Sequence, residues 1–304
     1  MLVSVIIPMY NAEKSLDNLY ASLQCQGYDH LEIIFVDNNS QDHSYEKAYS
    51  FAVKDARVKV LKEPKQGVSY ARKKGFHASH GEYLYFIDSD DCVAPNAISY
   101  LVETAKETKA DIVEGNYNTY ANDYQLASII RQHVRKIPYS TWQINHLEGI
   151  SAPLWQHLYK KTCIRDDFFV PLNQFEDHLF NWHAFLNANK VIGISEPVYF
   201  YHISDDGLSS ARYAIEPYQF MRYAVKLYQE CIELGTIEQY ETHLNRLILK
   251  QLLLLKLRIS ALYRGKEKSD YSISQLKEME WEISELTRFI NSNEKIKCKK
   301  KEMK

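Results

Sequence analysis

The strongest constraint on this chain is an alternation. Over the first 116 residues, short β-branched runs take turns with segments of helical spacing. Val3–Ile7, Ile33–Val36, Val58–Leu61 and Tyr83–Ile87 read as strands, and Ile112–Glu114 begins another. Between them lie Glu13–Gln26, Ser44–Ala52, Val68–Ser79 and Ala97–Glu107, which read as helices. In the first of these, Leu16, Leu19, Tyr20 and Leu23 share one face. Pro95 suits the first turn of the last. Strands joined through helices pair in parallel, so the expected fold is an α/β domain with a mostly parallel sheet.

The pattern then changes. Residues 117–170 are less regular, 175–188 look like a helix, and "VIGISEPVYFYH" follows as strand and turn. From about Ala214 to Leu262 the spacing is helical throughout, which predicts a separate appendage. The expected division is one domain over 1–212, a helical appendage over 213–264 and a charged tail, helical or flexible, over 265–304. The tail's lysine-rich end reads first as a solvated helix and second as attraction to an anionic membrane surface. "HLNRLILKQLLLLKLRISALYR" is leucine-rich, but Lys250, Lys256 and Arg258 do not fall on one polar face. Packing or a homodimer is therefore favoured there over peripheral membrane contact.

Bulk properties exclude several classes. With 304 residues, 45% hydrophobic and 25% charged, the chain can bury a core. A formal net charge of −2 offers no argument for nucleic acid as a partner. Tyrosine is frequent, at 23 residues, and packing is its first role. The five cysteines are widely spaced with no CxxC, against a disulfide framework or zinc site and in keeping with a reducing cytoplasm. The apolar start "MLVSVIIPMYN" has no basic lead and is too short for a signal peptide, so it reads as a strand. No stretch approaches eighteen uncharged apolar residues, so a cytoplasmic place is expected, with the inner membrane face as a variant of it.

Ligands of parallel α/β sheets bind beyond the carboxyl ends of the strands. Strand one ends in Pro8-Met9-Tyr10-Asn11, strand two in Asp37-Asn38-Asn39-Ser40, and strand four in Asp88-Ser89-Asp90-Asp91. A single Asp there is a turn former or helix cap, and Asp42 or Asp91 fits that description equally well. Several at one edge point to a site. Like charges a few ångströms apart repel by up to about 4 kcal/mol at an effective dielectric near 20. A divalent cation removes that cost, and Mg²⁺ typically uses one or two carboxylates plus substrate phosphates. The strand end thus looks built for a metal–diphosphate.

"VSVIIPMYN", "EIIFVDNNSQD", "GVSYARKKG", "GEYLYFIDSDD" and "FEDHLF" occur in the order found in family 2 glycosyltransferases, and the chain resembles that family over roughly residues 2–210. The resemblance is to bacterial polysaccharide or glycoconjugate types. It implies a GT-A fold, a mixed, mostly parallel sheet flanked by helices, here with a C-terminal α-helical appendage. The implied activity is an inverting hexosyl- or N-acetylhexosaminyltransferase using Mn²⁺ or Mg²⁺. The implied partners are a nucleotide-sugar donor, expected to be a UDP-sugar, and a glycan, lipid-linked saccharide or glycoprotein acceptor.

The resemblance also implies roles. Pro8, Tyr10 and Glu13 belong to the nucleotide-binding edge, and Asp37 hydrogen-bonds the base. Gly67, Ser69 and Arg72 line the nucleotide pocket, and Asp88 lies near ribose and metal. Asp90 is the main protein ligand of the metal, with His202 as a metal or phosphate contact. Asp177 is the general base and Glu176 its neighbour, although helical spacing alone does not choose between them. "APLWQHLYKK" at 152–161 resembles an acceptor-side segment. Trp155 there is either a sugar-ring floor or a core residue, and His157 stands where many relatives have Lys. Asn38 replaces a frequent Asp, Lys73 a frequent Asn, and Ser204 an Arg of the diphosphate-closing loop. Two other classes compete: a nucleotide-sugar-binding module without catalysis, and a sugar-nucleotide nucleotidyltransferase. Intact Asp90 and Asp177 argue against the first. The absence of Gly from "PMYNAEKSL" argues against the second.

Overall fold

Strands β1 (Val3–Met9) and β2 (Leu31–Asp37) run side by side in parallel, and all but one of their residues are buried. Neither shows alternation, because helices cover both faces of a parallel sheet interior. β3 (Val58–Lys62) flanks β2 and β4 (Tyr83–Phe86) flanks β1, both also parallel. The sheet continues in the order β3-β2-β1-β4-β8-β6-β9-β5, with β7 (Thr141–Gln143) on β9. β8 (His157–Lys160) runs antiparallel between β4 and β6 (Ile112–Tyr120). β5 (Cys92–Val93) and β7 run antiparallel to β9 (Val191–His202), which is parallel to β6. Six of the nine strands therefore share one direction, so the sheet is mixed and mostly parallel. The connecting helices are α1 (Leu16–Gln24), α2 (Ser44–Lys54), α3 (Val68–Ala78), α4 (Ala97–Thr108) and α5 (Glu176–Asn187).

The computed structural model describes residues 1–120, 141–143, 153–172, 176–203, 252–253, 256–257, 259–260 and 272–302. The chain forms two compact units, Met1–Ala211 and Arg212–Lys304. The second contains α6 (Ile273–Glu302), whose Leu276, Met279 and Ile283 are buried while Trp281 is exposed. Most of the expected appendage over 213–264, and the loop with Ser204, lie outside the described residues. Among the described residues no helix is long and apolar enough to cross a membrane.

Three elements depart from the sequence expectation. α1 starts at Leu16, not Glu13, because the preceding turn is committed elsewhere. Asn11 is left-handed at φ 50°, and the amides of Ala12 and Glu13 donate to Ser44 Oγ at the start of α2 and to Asp42 Oδ2 of the β2–α2 loop. Pro95 falls before α4, whose cap is Asn96 in the left-handed region. β9 is one strand of twelve residues, not strand and turn. Its Pro197 is tolerated because the β6–β9 register shifts there, around Asn116. Gly75 explains how α3 seats on β1: a Cβ at this position would meet Ile6 Cγ2 at 2.4 Å.

Candidate active site

The carboxyl ends of β1, β2 and β4 share one edge, and the chain ties the loops leaving it to one another. Pro8 is buried opposite Val36, while Tyr10 at the tip is 47% exposed. Glu13, expected at the nucleotide edge, works as a stitch. Its carboxylate accepts from the His43 amide at 3.3 Å and its carbonyl accepts from Lys47 Nζ at 2.6 Å. Asp42 serves the same seam by accepting from the Glu13 and Ser44 amides.

Asp37 closes β2 and is 5% exposed. Its Oδ1 is buried with no hydrogen-bond partner among the described residues. An unpaired buried carboxylate oxygen carries a desolvation penalty, so it marks a position waiting for a donor. Asn38, next to it, is fully engaged. Its Nδ2 donates to the carbonyls of Glu63 (3.0 Å) and Lys65 (2.8 Å), and its Oδ1 accepts from the Gly67 amide at 2.7 Å. Asn38 thus clamps the β3–α3 loop. Gly67 ends that loop at φ 133°, a conformation that L side chains rarely adopt. Ser69, two residues on, is buried and donates to the Val170 carbonyl at 2.6 Å.

At β4, Tyr199 does what no local motif announces. Its hydroxyl accepts from the Asp88 amide (3.1 Å) and donates to Asp91 Oδ2 (2.9 Å), holding the acidic turn against β9. Asp91 is 2% exposed and also accepts from the His202 amide at 2.6 Å. Tyr120 donates to the Asp90 carbonyl at 3.2 Å and stacks on the His202 ring at 4.9 Å. His202 is therefore brought to the acidic turn, and Asp90 is its exposed member.

Across the edge lies an ion network of partly exposed carboxylates around one buried arginine. Arg72 on α3 is 4% exposed. Its Nη2 meets Asp88 Oδ1 at 2.9 Å, and its Nη1 meets Glu176 Oε1 at 3.0 Å and Asp177 Oδ1 at 3.4 Å. Glu176 and Asp177 open α5, where the positive end of the helix dipole favours carboxylates. Burial alone would weaken the charge on Arg72, but Asp88, Asp177 and Glu176 outweigh it and keep it cationic. Burial raises Asp88 above the usual carboxylate range, with Arg72 opposing and Asp90 adding to the rise. Burial and then Asp177 push Glu176 well up. Burial, then Asp90 and Asp88, push Asp91 up to about 9.

The acceptor-side residues divide. Trp155 is 6% exposed and stacks on Tyr199 at 4.3 Å, with Tyr117 edge-on at 5.1 Å and itself 42% exposed. Through Tyr199 this aromatic group adjoins the acidic turn. His157 is not brought to the site. Its ring is fully buried, with one nitrogen on the Pro153 carbonyl and the other 2.9 Å from Glu114. No polar atom of that side chain is left for an acceptor. Lys73, 37% exposed, pairs with Asp166 at 2.6 Å and stands outside the network.

Among the described residues, no three His, Cys, Asp or Glu side chains form a ready-made cation cage. The donor set nonetheless fits a hard divalent cation shared with a substrate. Exposed Asp90 supplies a carboxylate beside Asp88 and Asp91, and one arginine faces more acidic groups than it can balance.

Comparison with known proteins gives this geometry a family. Residues 4–163 match the description Glycosyl transferase family 2. The chain belongs to that family. Glycosyltransferase GlyG of Streptococcus pneumoniae is 32% identical over 213 residues, which cover 66% of this chain and 70% of GlyG. Among solved structures, Staphylococcus aureus TarS 1–349 with UDP-GlcNAc superimposes with a TM-score of 0.66. It shares 23% identity and covers 83% of this chain and 72% of its own. Mannosyltransferase PcManGT of Pyrobaculum calidifontis, in complex with GDP-Man and Mn²⁺, gives a TM-score of 0.53 at 14% identity, covering 88% and 76%. These structural likenesses establish the GT-A fold. For this glycosyltransferase, Tyr199 and Tyr120 lie outside the motifs that carry the family resemblance, and Asn38 lies inside one that does not announce its clamping role. Tyr199 lies 111 residues from Asp88, so only its place in β9 identifies it.

Proposed function

We propose that this family 2 glycosyltransferase is an inverting, metal-dependent enzyme. It would move a sugar from a UDP-sugar to a hydroxyl of a glycan, lipid-linked saccharide or glycoprotein. The observation that carries the reading is the pairing of two unlike sites on one sheet edge. At one lies the unpaired buried oxygen of Asp37, suited to a base that presents a ring N–H. At the other lies the carboxylate network of Asp88, Glu176 and Asp177.

In this mechanism Asp37 accepts from the nucleobase and Tyr10 offers an exposed ring beside it. Asp90, with Asp88, would hold Mn²⁺ or Mg²⁺. When bound, that ion supplies Lewis acidity to the diphosphate leaving group. Asp177 takes the proton of the acceptor hydroxyl. The acceptor oxygen bonds to the anomeric carbon as the bond from that carbon to the diphosphate oxygen breaks, and UDP departs. General-base assistance of this kind contributes about 10²–10⁴-fold. The TarS complex with UDP-GlcNAc supports the choice of UDP, and the PcManGT complex supports a divalent ion. Tyr117, exposed and edge-on to the buried Trp155, offers the aromatic ring on the acceptor side, while Trp155 backs it from the core.

The test is calorimetric titration of UDP with and without Mn²⁺, on the native chain and on Asp90→Ala. Metal-dependent binding that the variant loses is the expected result. Equal binding with and without Mn²⁺ would remove the metal from the mechanism, and no UDP binding in either state would remove the assigned donor.

A further inference from the structure

We infer that Arg72 is a positioning residue that locks the acceptor-side pair Glu176 and Asp177 to the donor-side carboxylate Asp88, and is not a ligand of the nucleotide. The inference rests on the reading of Asp177 as general base. Family resemblance assigns this arginine to the nucleotide pocket, and the geometry points elsewhere.

Both terminal nitrogens of its guanidinium are committed to carboxylates from two other segments. Asp88 follows β4, 16 residues along the chain, while Glu176 and Asp177 open α5, 104 and 105 residues away. The remaining nitrogen, Nε, is buried and has no partner among the described residues. The cavity that Arg72 lines with Ser69, Glu176 and Phe180 is about 10 Å³. The enclosed part of that space holds roughly one water. Arg72 is thus spent on protein groups, with no second charge-bearing face turned to a ligand.

The guanidinium is a planar fork, so it fixes angles as well as charge. Asp177 Oδ1 is held at a set distance from Asp88, and Asp88 is anchored by its amide to Tyr199. A displacement on the diphosphate side is therefore transmitted to the base. A lysine ammonium is a compact point charge and cannot span the same three partners. Angular control of the base acts on turnover, whereas a nucleotide ligand acts on binding.

The experiment uses Arg72→Lys and Arg72→Met in the full chain, with three readouts. UDP titrated in the presence of Mn²⁺ should bind both variants within about threefold of the native affinity. With the UDP-sugar that the native chain hydrolyses fastest, Arg72→Lys should lower kcat by about thirtyfold or more while KM stays within about threefold. The melting loss caused by Arg72→Met should fall by at least about half in a Glu176→Gln, Asp177→Asn background, since the partners it deserts are then neutral. UDP affinity reduced by about tenfold or more in both variants, or a raised KM with kcat retained, would overturn the inference. So would melting losses that simply add. Failure of the native chain to bind UDP would instead count against the proposed donor, and the melting cycle would still judge the network. If Arg72→Met does not fold, Arg72→Lys in the same two backgrounds supplies the cycle.

Discussion

Asn38→Asp is the sharpest single perturbation of the nucleotide edge. The two side chains are nearly isosteric, so packing is unchanged and only hydrogen-bond polarity differs. Asn38 is 4% exposed and makes three side-chain bonds: it donates to the carbonyls of Glu63 and Lys65 and accepts from the Gly67 amide. An ionised carboxylate in its place keeps the last bond and loses the first two. Each lost bond costs about 1 kcal/mol, and a buried acceptor left unsatisfied costs about 1–3 kcal/mol. Lys65 is exposed, so its carbonyl can turn to water, whereas Glu63 is partly covered. The loss should therefore come to about 2–4 kcal/mol.

The consequence is a loosened β3–α3 loop and a displaced Gly67, the residue that opens α3. Urea unfolding of the native chain and the variant measures the stability loss, and UDP titration measures the effect on the edge. When protonated, the introduced carboxyl can donate one bond again, so its folded-state pKa is raised above its unfolded value. The variant's deficit should be smallest below about pH 4, the unfolded Asp value, grow by on the order of 1 kcal/mol per pH unit up to the raised folded pKa, and level off above it. An Asn38→Asp chain with native stability at pH 8 and native UDP affinity would refute the clamp.

Other expectations follow from the same contacts. Asp177→Asn should retain UDP binding and lose about 10²–10⁴-fold in turnover of any donor the native chain accepts; unchanged turnover would remove Asp177 as base. Gly67→Ala forces a Cβ into a backbone at φ 133° and within 3.1 Å of Tyr70, so a loss of about 1–3 kcal/mol is expected in urea melts. Hydrogen bonds from Arg57 hold Asp55 well below the usual carboxylate range, against burial. That pair stabilises the fold above the unfolded Asp pKa and is lost as pH falls through the depressed folded value. Arg57→Ala should therefore flatten the acid limb of a melting curve between about pH 4 and 2, and an unaltered limb would count against the pair.

How much of this was legible in the chain differs from element to element. β1, β2 and α1 to α4 were readable because local pattern decides them: continuous apolar runs are fully covered strands, and Leu16, Leu19 and Leu23 share a helical face. The mixing of the sheet was not readable from pattern. β8 is four residues long and inserts antiparallel between β4 and β6, a choice set by non-local pairing. At the site, the acidic turn and the α5 carboxylates were visible as motifs. What joins them was not, because Arg72 on a helix looks the same whether it faces solvent or three carboxylates. His157 shows the converse. A polar residue in an acceptor-like segment reads as available until the sheet places Glu114 and the Pro153 carbonyl on its two nitrogens.

The two ends of the edge solve opposite problems. At Asp37 a carboxylate oxygen is buried with no donor among the described residues, and on the proposed reading a neutral base N–H would relieve it without moving charge. At Asp88 and Asp90 the difficulty is surplus negative charge. Arg72 balances one carboxylate among Asp88, Glu176 and Asp177, while burial drives Asp91 and Glu176 toward their protonated forms. A diphosphate approaching to about 5 Å of one remaining net charge would be opposed by about 3 kcal/mol per unit at an effective dielectric near 20. On the proposed reading the base end alone would favour a nucleoside, and the acidic end would oppose its diphosphate unless a cation arrived with it. UDP should therefore lose far more affinity than uridine when Mn²⁺ is withheld. Parallel losses for the two ligands would show that the acidic turn does not discriminate by charge, and the argument that links Asp90 to the diphosphate would fall with it.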